Sequence, residues 1–380
     1  MALCAPSVCD TFTNKTTGEI LHGYLKSGGE QGNLVICTGE KDERQFNLSQ
    51  WDWEIDRLGR KNKITVISLE DKLDLHIVCD ALDAAIATAA DDGPLFILLE
   101  MNCPGGQAEY IEKICDRLIR TDYCPVVGLI KSGPYGGALS GAAALALACD
   151  KIYMEPGTTI GAAAIFTGDR STEKLSIAWQ DYIGTLTRRK GRPELLARAM
   201  VDKDIEVIEV AQDGRRLFIQ PSQAKSGQSV VRVWSPGGSL LTLTAGEAVR
   251  CNIADAIVID RADVLRKMSA AGAEVVVDTS TADAARTFKK AQLKFDRLRN
   301  SLDGRIKQIE RADNLQEAIN LLREIKFEYQ SMLSLAKRYP DLYLDVELIE
   351  EQLDSAEDYY RRAKVKKREL AGVNDVNTVD

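Results

Sequence analysis

Residues 95–106, LFILLEMNCPGG, and residues 125–141, PVVGLIKSGPYGGALSG, decide the fold of this chain. Each stretch is a short apolar run that ends in a glycine-rich turn, and a segment of helical length follows each turn. Continuous apolar runs separated by helices are typical of parallel strands that are buried on both faces of a sheet. We therefore predict an α/β core with a parallel sheet covered by helices.

The pattern changes on both sides of this core. Residues 1–60 contain short alternating runs separated by turn residues and predict a small β module. Residues 61–270 form the predicted α/β domain, with a β-rich insertion at about 206–234 that carries a hairpin signal at Asp213-Gly214. Residues 278–372 are rich in charge with apolar residues at helical spacing, so we expect a helical hairpin or coiled-coil arm, interrupted at Pro340.

Composition excludes several classes of function. The 380 residues carry a net charge of −8, which disfavours nucleic acid as a partner. The longest weakly apolar run, GGALSGAAALALAC at 136–149, is too short to span a bilayer, and the first residues do not form an intact signal peptide, so we expect no direct transmembrane anchor. The two histidines, His22 and His76, leave little scope for a histidine-based zinc site or general base.

The nine cysteines include no CxxC pair and do not read as a disulfide framework. Most lie in apolar runs, where cysteine acts as a small core residue. Cys4 and Cys9 lie close together in a polar segment and could either pair or be exposed.

The two glycine-rich turns predict one shared site. Turns at the carboxyl ends of neighbouring parallel strands face the same crevice, and glycines let backbone N–H groups approach a ligand closely. Ser140, at the start of a helix of small residues, could be a hydroxyl nucleophile in that crevice. The alternative is that GGALSGAAALALA is only a tightly packed helix. A phosphate loop is a weaker interpretation, because the Lys-Ser/Thr ending of a Walker motif is missing.

The order of strand, PGG turn, helix, strand, glycine turn, Ser-Gly-Ala-Ala and ACDKIYMEPGTTIGAA resembles the ClpP/crotonase superfamily, most closely the SppA and NfeD-type serine peptidases. The resemblance covers roughly residues 62–265. It implies that Ser140 is the nucleophile, that Gly106 and Gly141 are the oxyanion donors, and that the two turns, which also contain Gly105, Gly136 and Gly137, bind substrate. Asn252 stands where the family usually has glycine.

The general base is the point at which the sequence departs from these families. The resemblance to SppA-like enzymes implies a catalytic Ser-Lys dyad. However, Gly184 occupies the position where we would place the lysine. Lys174 and Lys190 are substitutes by proximity, although a plain surface role is favoured for each. No histidine follows Ser140, which argues against the Ser-His-Asp arrangement of ClpP.

Three functions remain open at this stage. The first is a serine peptidase of the SppA/NfeD class that acts on peptides or proteins through an acyl-enzyme on Ser140, without cofactor or metal. The second is a catalytically degenerate peptide-binding or scaffold member, and the third is crotonase-like chemistry on an acyl thioester. The resemblance also implies a homo-oligomer, with the helical arm as a further interface, and an extracytoplasmic or membrane-associated location.

Overall fold

The computed structural model describes residues 10–26, 34–38, 42–46, 50–57, 60–121, 124–164, 172–212 and 215–376. Its contacts divide the chain into two units. The α/β unit comprises residues 1–74 and 78–282, and the helical unit comprises residues 75–77 and 283–380. Cys4 and Cys9 lie outside the described residues.

The amino-terminal segment is an antiparallel sheet in the order β4-β3-β2-β1-β5. Its strands are β1 Asp10–Asn14, β2 Ile20–Lys26, β3 Leu34–Thr38, β4 Asp42–Phe46 and β5 Trp51–Glu54. Alternation along β1 and β5 buries Phe12, Trp51 and Trp53 in the same apolar cluster as Val66 and Leu98 of the central sheet. Asp10 lies beneath this face, where it accepts hydrogen bonds from Trp53 Nε1 and the Arg60 guanidinium.

The centre of the α/β unit is a six-stranded, all-parallel sheet in the order β16-β10-β8-β7-β6-β17. These strands are β6 Lys63–Leu69, β7 Ile97–Met101, β8 Val126–Ile130, β10 Lys151–Met154, β16 Ala256–Ile257 and β17 Glu274–Asp278. Every residue of β7, β8 and β10 is buried, as expected for strands covered on both faces. The predicted mixed α/β class with a parallel sheet is confirmed.

Helices connect these strands, and smaller sheets flank them. The helices are α1 His76–Asp92, α2 Ala108–Arg120, α3 Gly141–Ala148, α4 Thr172–Arg189, α5 Glu194–Val201, α6 Ala245–Arg250 and α7 Arg261–Lys267. One small sheet contains β9 Gly137–Leu139, β11 Thr159–Gly161 and β15 Thr242–Thr244. The other contains β12 Val207–Gln212, β13 Arg215–Ile219 and β14 Ser229–Ser235. The antiparallel pairing of the predicted hairpin is confirmed, because β12 and β13 pair over five residues.

The carboxyl-terminal segment is helical. It consists of α8 Ser280–Ile309, α9 Leu315–Arg338 and α10 Val346–Val376, with a 3₁₀ turn at Pro340–Leu342 that ends the continuous helix where the sequence predicts an interruption. Apolar side chains at helical spacing bury Phe288, Ile325, Met332 and Ile349 in one cluster. Within the described part of the chain, none of the helices combines the length and apolar character that crossing a membrane requires.

Candidate active site

The first glycine-rich turn, Asn102–Gly106, connects β7 to α2 and is held from both sides. Cys103 N–H donates to Gly137 O at 3.0 Å, and Leu139 N–H donates to Cys103 O at 3.1 Å, so the turn pairs with β9 in parallel. Gly105 O accepts from Leu73 N–H at 2.9 Å. Gly105 has φ +109°, a conformation that side chains disfavour, so glycine is required at this bend.

The second turn leads from β8 through β9 to Ser140. β8 is the direct neighbour of β7 and runs parallel to it, so both turns leave the same edge of the sheet. Gly137, at φ +135°, is pressed against β11, where a Cβ would lie 2.2 Å from Thr159 O. Gly136 lies at the open tip of the turn, with φ +74° and no atom near the position of a Cβ. Both glycines therefore shape the backbone that leads to Ser140.

Ser140 is held in a backbone conformation that non-glycine residues rarely adopt. Its φ is 54° and its ψ is −130°, and it is the N-cap of α3. Ser140 N–H donates to Gly161 O at 3.0 Å, and Ser140 O accepts from Ala143 N–H at 3.0 Å, so the surrounding structure fixes the strained residue. Backbone strain of this kind costs about 1–3 kcal/mol and is concentrated at functional sites. The conformation distinguishes Ser140 from an ordinary small residue of a packed helix.

The two turns meet at Ser140. A Cβ at Gly105 would lie 2.7 Å from Ser140 Cβ, 3.0 Å from Ser140 Oγ and 2.9 Å from Gly141 N. Any side chain at position 105 would therefore collide with the serine. Gly141 is equally confined, because a Cβ there would lie 2.5 Å from Ile111 Cγ1 on α2. The predicted convergence of Ser140 with the PGG turn is present in the structure.

Two backbone amides beside Ser140 are free to donate. Among the described residues, Gly106 N–H and Gly141 N–H donate to no backbone carbonyl, although the residues on either side of Gly106 do take part in hydrogen bonds with Leu73. Gly141 begins α3, so its amide is one of those at a helix N-terminus that have no partner within the helix. Two such donors next to a hydroxyl are the elements of an oxyanion hole.

Lys190 does not lie at this site. Its ammonium is buried and donates to Asp150 Oδ1 at 2.6 Å. Asp150 follows the carboxyl end of α3, whereas Ser140 caps the amino end, and eight helical residues separate the two ends by about 12 Å. Lys190 as the general base is therefore a prediction that the geometry does not support.

Gly184 lies on a buried face of α4. A Cβ at Gly184 would lie 2.7 Å from Arg198 Nε, so this face of α4 packs against α5. Lys174 lies in the first turn of α4, and the side chains of residues 172–176 are outside the described set. Lys174 as the general base therefore stays a prediction.

Two residues that the sequence analysis did not single out support the turns. Cys103 is buried, and burial raises the pKa of its thiol to about 11, so the sulfur stays protonated at neutral pH. Its Sγ lies 3.3 Å from Gly105 O and 3.4 Å from Gly105 N, so it bridges both polar groups of that glycine. Tyr135 OH donates to Asp71 Oδ1 at 2.8 Å and ties the second turn to the loop after β6. The Tyr135–Asp71 hydrogen bond joins segments that are distant in sequence, and the Cys103 contacts depend on the geometry of the turn. Neither could therefore be inferred from sequence spacing.

Among the residues that the structure describes, six cysteines are free and buried, in agreement with a role in the core. The same part of the chain contains no group of three or more His, Cys, Asp or Glu side chains placed to hold a metal ion.

Comparison with known proteins shows that part of the α/β unit is similar to NfeD-type proteins. The family described as NfeD1b, N-terminal domain, matches residues 63–231. Membrane protein NfeD1b of Bacillus subtilis is 26% identical over 232 residues, which cover 60% of this chain and 46% of the relative. Membrane-bound protease PH1510 of Pyrococcus horikoshii is 27% identical over 154 residues, which cover 39% of this chain and 34% of the protease. The chain thus spans less than half the length of these curated relatives.

Two solved structures also match part of this chain. A serine-to-alanine mutant of the 1510-N membrane-bound stomatin-specific protease is 21% identical, with a TM-score of 0.43, over 57% of this chain and 98% of that one. A lysine-to-alanine mutant in complex with a substrate peptide has a TM-score of 0.41, over 57% of this chain and 91% of that one. The resemblance to NfeD-type proteins predicted from the two glycine turns is confirmed by the family match.

Proposed function

We propose that this relative of NfeD-type proteins is a serine-type peptidase in which Ser140 attacks the peptide carbonyl. The observation that carries the proposal is the conformation of Ser140, at φ 54°, directly against Gly105 of the PGG turn. A peptidase among the curated relatives, and a substrate peptide bound to a protein of similar fold, support the reaction class. The alternative is a degenerate member that binds peptides at the same crevice without cleaving them.

The proposed mechanism assigns a task to each group at the site. Ser140 Oγ forms a bond to the carbonyl carbon while its proton passes to a general base, and the carbonyl oxygen becomes an oxyanion. Gly106 N–H and Gly141 N–H donate to that oxyanion, which lowers the energy of the tetrahedral intermediate. Collapse of the intermediate breaks the C–N bond and releases the amine, which takes the proton. Water then hydrolyses the acyl-enzyme and regenerates Ser140.

The direct test is to identify the residue that an acylating or phosphonylating reagent modifies. We expect a fluorophosphonate to label the intact chain once, with the mass increase on the peptide that contains Ser140. Prior denaturation should abolish labelling, because reactivity depends on the folded oxyanion site. Absence of label on Ser140 in the folded protein would overturn the assignment and favour the degenerate alternative.

We propose Lys174 as the general base, because the resemblance implies a Ser-Lys dyad and Lys190 is committed to Asp150. A lysine base must be a neutral amine, so activity should rise with pH as the ammonium loses its proton. We expect Lys174→Ala to lower the rate of peptide hydrolysis by at least about 10²-fold and to remove this rise.

Exposed Lys225 provides the control for that experiment, and Lys225→Ala should retain both the rate and the pH profile. If Lys174→Ala hydrolyses peptide at the parental rate, Lys174 is not the base. Because labelling of Ser140 tests the nucleophile separately, this result would leave the peptidase assignment intact.

Assembly and location are further proposals. The resemblance supports a homo-oligomer, and exposed apolar residues on α9 and α10 such as Phe327 and Tyr359 offer surface for a helical partner. Light scattering of the intact chain would test the homo-oligomer, which a monomeric mass would contradict. The similarity to a membrane protein and to a membrane-bound protease supports association with a membrane.

A further inference from the structure

The helical unit carries a groove of about 470 Å³ between α8 and α9. Helical spacing places its lining residues on one face of each helix, and they include Lys290 and Lys294 on α8 and Ser331, Leu335 and Arg338 on α9. The lining stretch of α8, from residue 287 to residue 294, rises by about 10 Å, which is two turns of a helix. The groove is therefore long enough to meet side chains from successive turns of a bound helix.

The floor of the groove is apolar. Ala291, Leu335 and Tyr339 form it, and all three are buried members of the apolar cluster that holds the helices of this unit together. The ring of Tyr339 packs edge-on against Phe288, with the two ring centroids 6.4 Å apart. The groove is therefore an open depression above packed side chains, with an apolar surface at its base.

Among the described residues, three cations line the groove and no carboxylate does. The cations are Lys290, Lys294 and Arg338, and all three are exposed. None of them forms an ion pair with a described carboxylate, and the guanidinium of Arg338 lies over the ring of Tyr339 instead, 5.6 Å from its centroid. Lys290 and Lys294 lie one turn apart on α8, where like charges repel each other. An anionic group in the groove would relieve this repulsion.

Carboxylates elsewhere on the three helices do not balance these charges, because they are paired with other cations. The ion pairs around the groove are Asp283 with Arg286, Asp296 with Arg299, Glu328 with Arg305, and Glu350 with Lys337. Asp341 follows Arg338 by three residues, but it is buried and forms no ion pair with this arginine in the described part of the chain. The lining of the groove thus carries a positive charge that its surroundings leave uncompensated.

The cations follow one another along the groove. Phe288, near the start of α8, contacts Tyr339 just after the end of α9. Arg305, near the end of α8, pairs with Glu324 in the first half of α9. The two helices therefore run antiparallel, so Arg338 lies at one end of the groove and the two lysines lie further along it. Side chains one turn apart on a helix have Cβ atoms about 6 Å apart, so carboxylates on successive turns of a bound helix match such a row of cations.

We propose that this groove binds an acidic amphipathic helix of a partner protein. The carboxylates of that helix face the three cations, and its apolar side chains rest on Leu335 and Tyr339. The hydroxyls of Ser331 and Ser334 offer further hydrogen-bond donors on α9. A flat anionic lipid surface fits less well, because the cations line a depression and not a projecting face. Binding at this groove does not depend on whether Ser140 hydrolyses peptides.

The test is fluorescence anisotropy of a labelled synthetic peptide titrated with the intact chain. The peptide forms a helix of about five turns, with leucines along one face and glutamates on both flanks. We expect saturable binding that weakens as the salt concentration rises. The same peptide with lysine in place of glutamate should bind at least about tenfold more weakly. The double variant Lys290→Glu with Lys294→Glu should weaken binding of the acidic peptide by a similar factor.

The double variant Lys225→Glu with Lys307→Glu is the matched control, since both lysines are exposed, lie outside the groove and give the same change in net charge. It should bind the acidic peptide with the parental affinity. The groove variant should bind the lysine peptide more tightly than the parental chain does, which would show that the variant is folded. Equal affinities of the acidic peptide for the parental chain and the groove variant would overturn the proposal. So would a parental chain that binds phosphatidylglycerol vesicles but not the acidic peptide, or one that binds neither.

Discussion

Replacing Ser140 by alanine is expected to lower the rate of peptide hydrolysis by at least about 10³-fold. The substitution removes the only atom that forms the acyl-enzyme bond in the proposed mechanism. It leaves Gly106 N–H and Gly141 N–H in place, so residual activity would measure what the oxyanion site contributes without a nucleophile. The measurement is the hydrolysis of a mixture of fluorogenic peptides by the parental and variant chains at equal concentration.

A loss of activity in Ser140→Ala must be distinguished from a loss of folding. Alanine at a φ of 54° is strained much as serine is, and Ser140 Oγ makes no hydrogen bond with the residues that the structure describes. We therefore expect the unfolding temperature to change little. Ser222→Ala removes the hydroxyl of an exposed serine and should keep full activity. Equal rates for Ser140→Ala and the parental chain would exclude Ser140 as the nucleophile.

The parallel sheet could be predicted from the sequence because its signal is local. The runs LFILLEM and PVVGLI are apolar throughout, and every residue of β7 and β8 is buried in the structure. Edge strand β17 was not predicted, although its pairing with β6 extends over five residues. Its three consecutive valines remain partly or largely exposed, and its place in the sheet depends on a partner about 210 residues earlier.

The sequence predicts one part of the candidate site, the convergence of the two glycine turns, but not the backbone geometry at Ser140. Parallel topology requires the two glycine turns to leave the same edge of the sheet, so their convergence follows from the sequence. The structure just before the helix of small residues was not predicted, because residues 137–139 form β9 and Ser140 has a positive φ. Pairing of β9 with Cys103 and β11 fixes this geometry, and such long-range contacts leave no periodic pattern in the sequence.

Lys190 illustrates how proximity in sequence misleads when charges are buried. It was a candidate because it lies close in sequence to Gly184, where the lysine of a dyad was expected, but burial in the folded protein requires an opposite charge within reach. Asp150 provides that charge at 2.6 Å, and both side chains are nearly inaccessible, at 6% and 7% exposure. The lysine thus has a structural role that only the packed fold reveals.

Asp150→Asn is expected to destabilise the α/β unit by about 3–5 kcal/mol, because it leaves the Lys190 ammonium buried without a compensating charge. Asparagine keeps an oxygen that can accept from Val126 N–H, which Asp150 Oδ2 does at 2.7 Å, so the substitution removes the charge with little change in shape. The free energy of unfolding can be measured by denaturant titration with tryptophan fluorescence. All four tryptophans, Trp51, Trp53, Trp179 and Trp234, lie in the α/β unit, so the signal reports on that unit alone.

The double variant Asp150→Asn with Lys190→Met separates the charge effect from general damage to packing. Methionine fills much of the volume of the lysine stem and carries no charge, so the double variant should recover most of the lost stability. A large coupling energy between positions 150 and 190 would identify the ion pair as the source of the loss. If Asp150→Asn costs less than about 1 kcal/mol, or if the two substitutions are additive, the Lys190 ammonium does not depend on Asp150 and the structural role assigned to this pair is wrong.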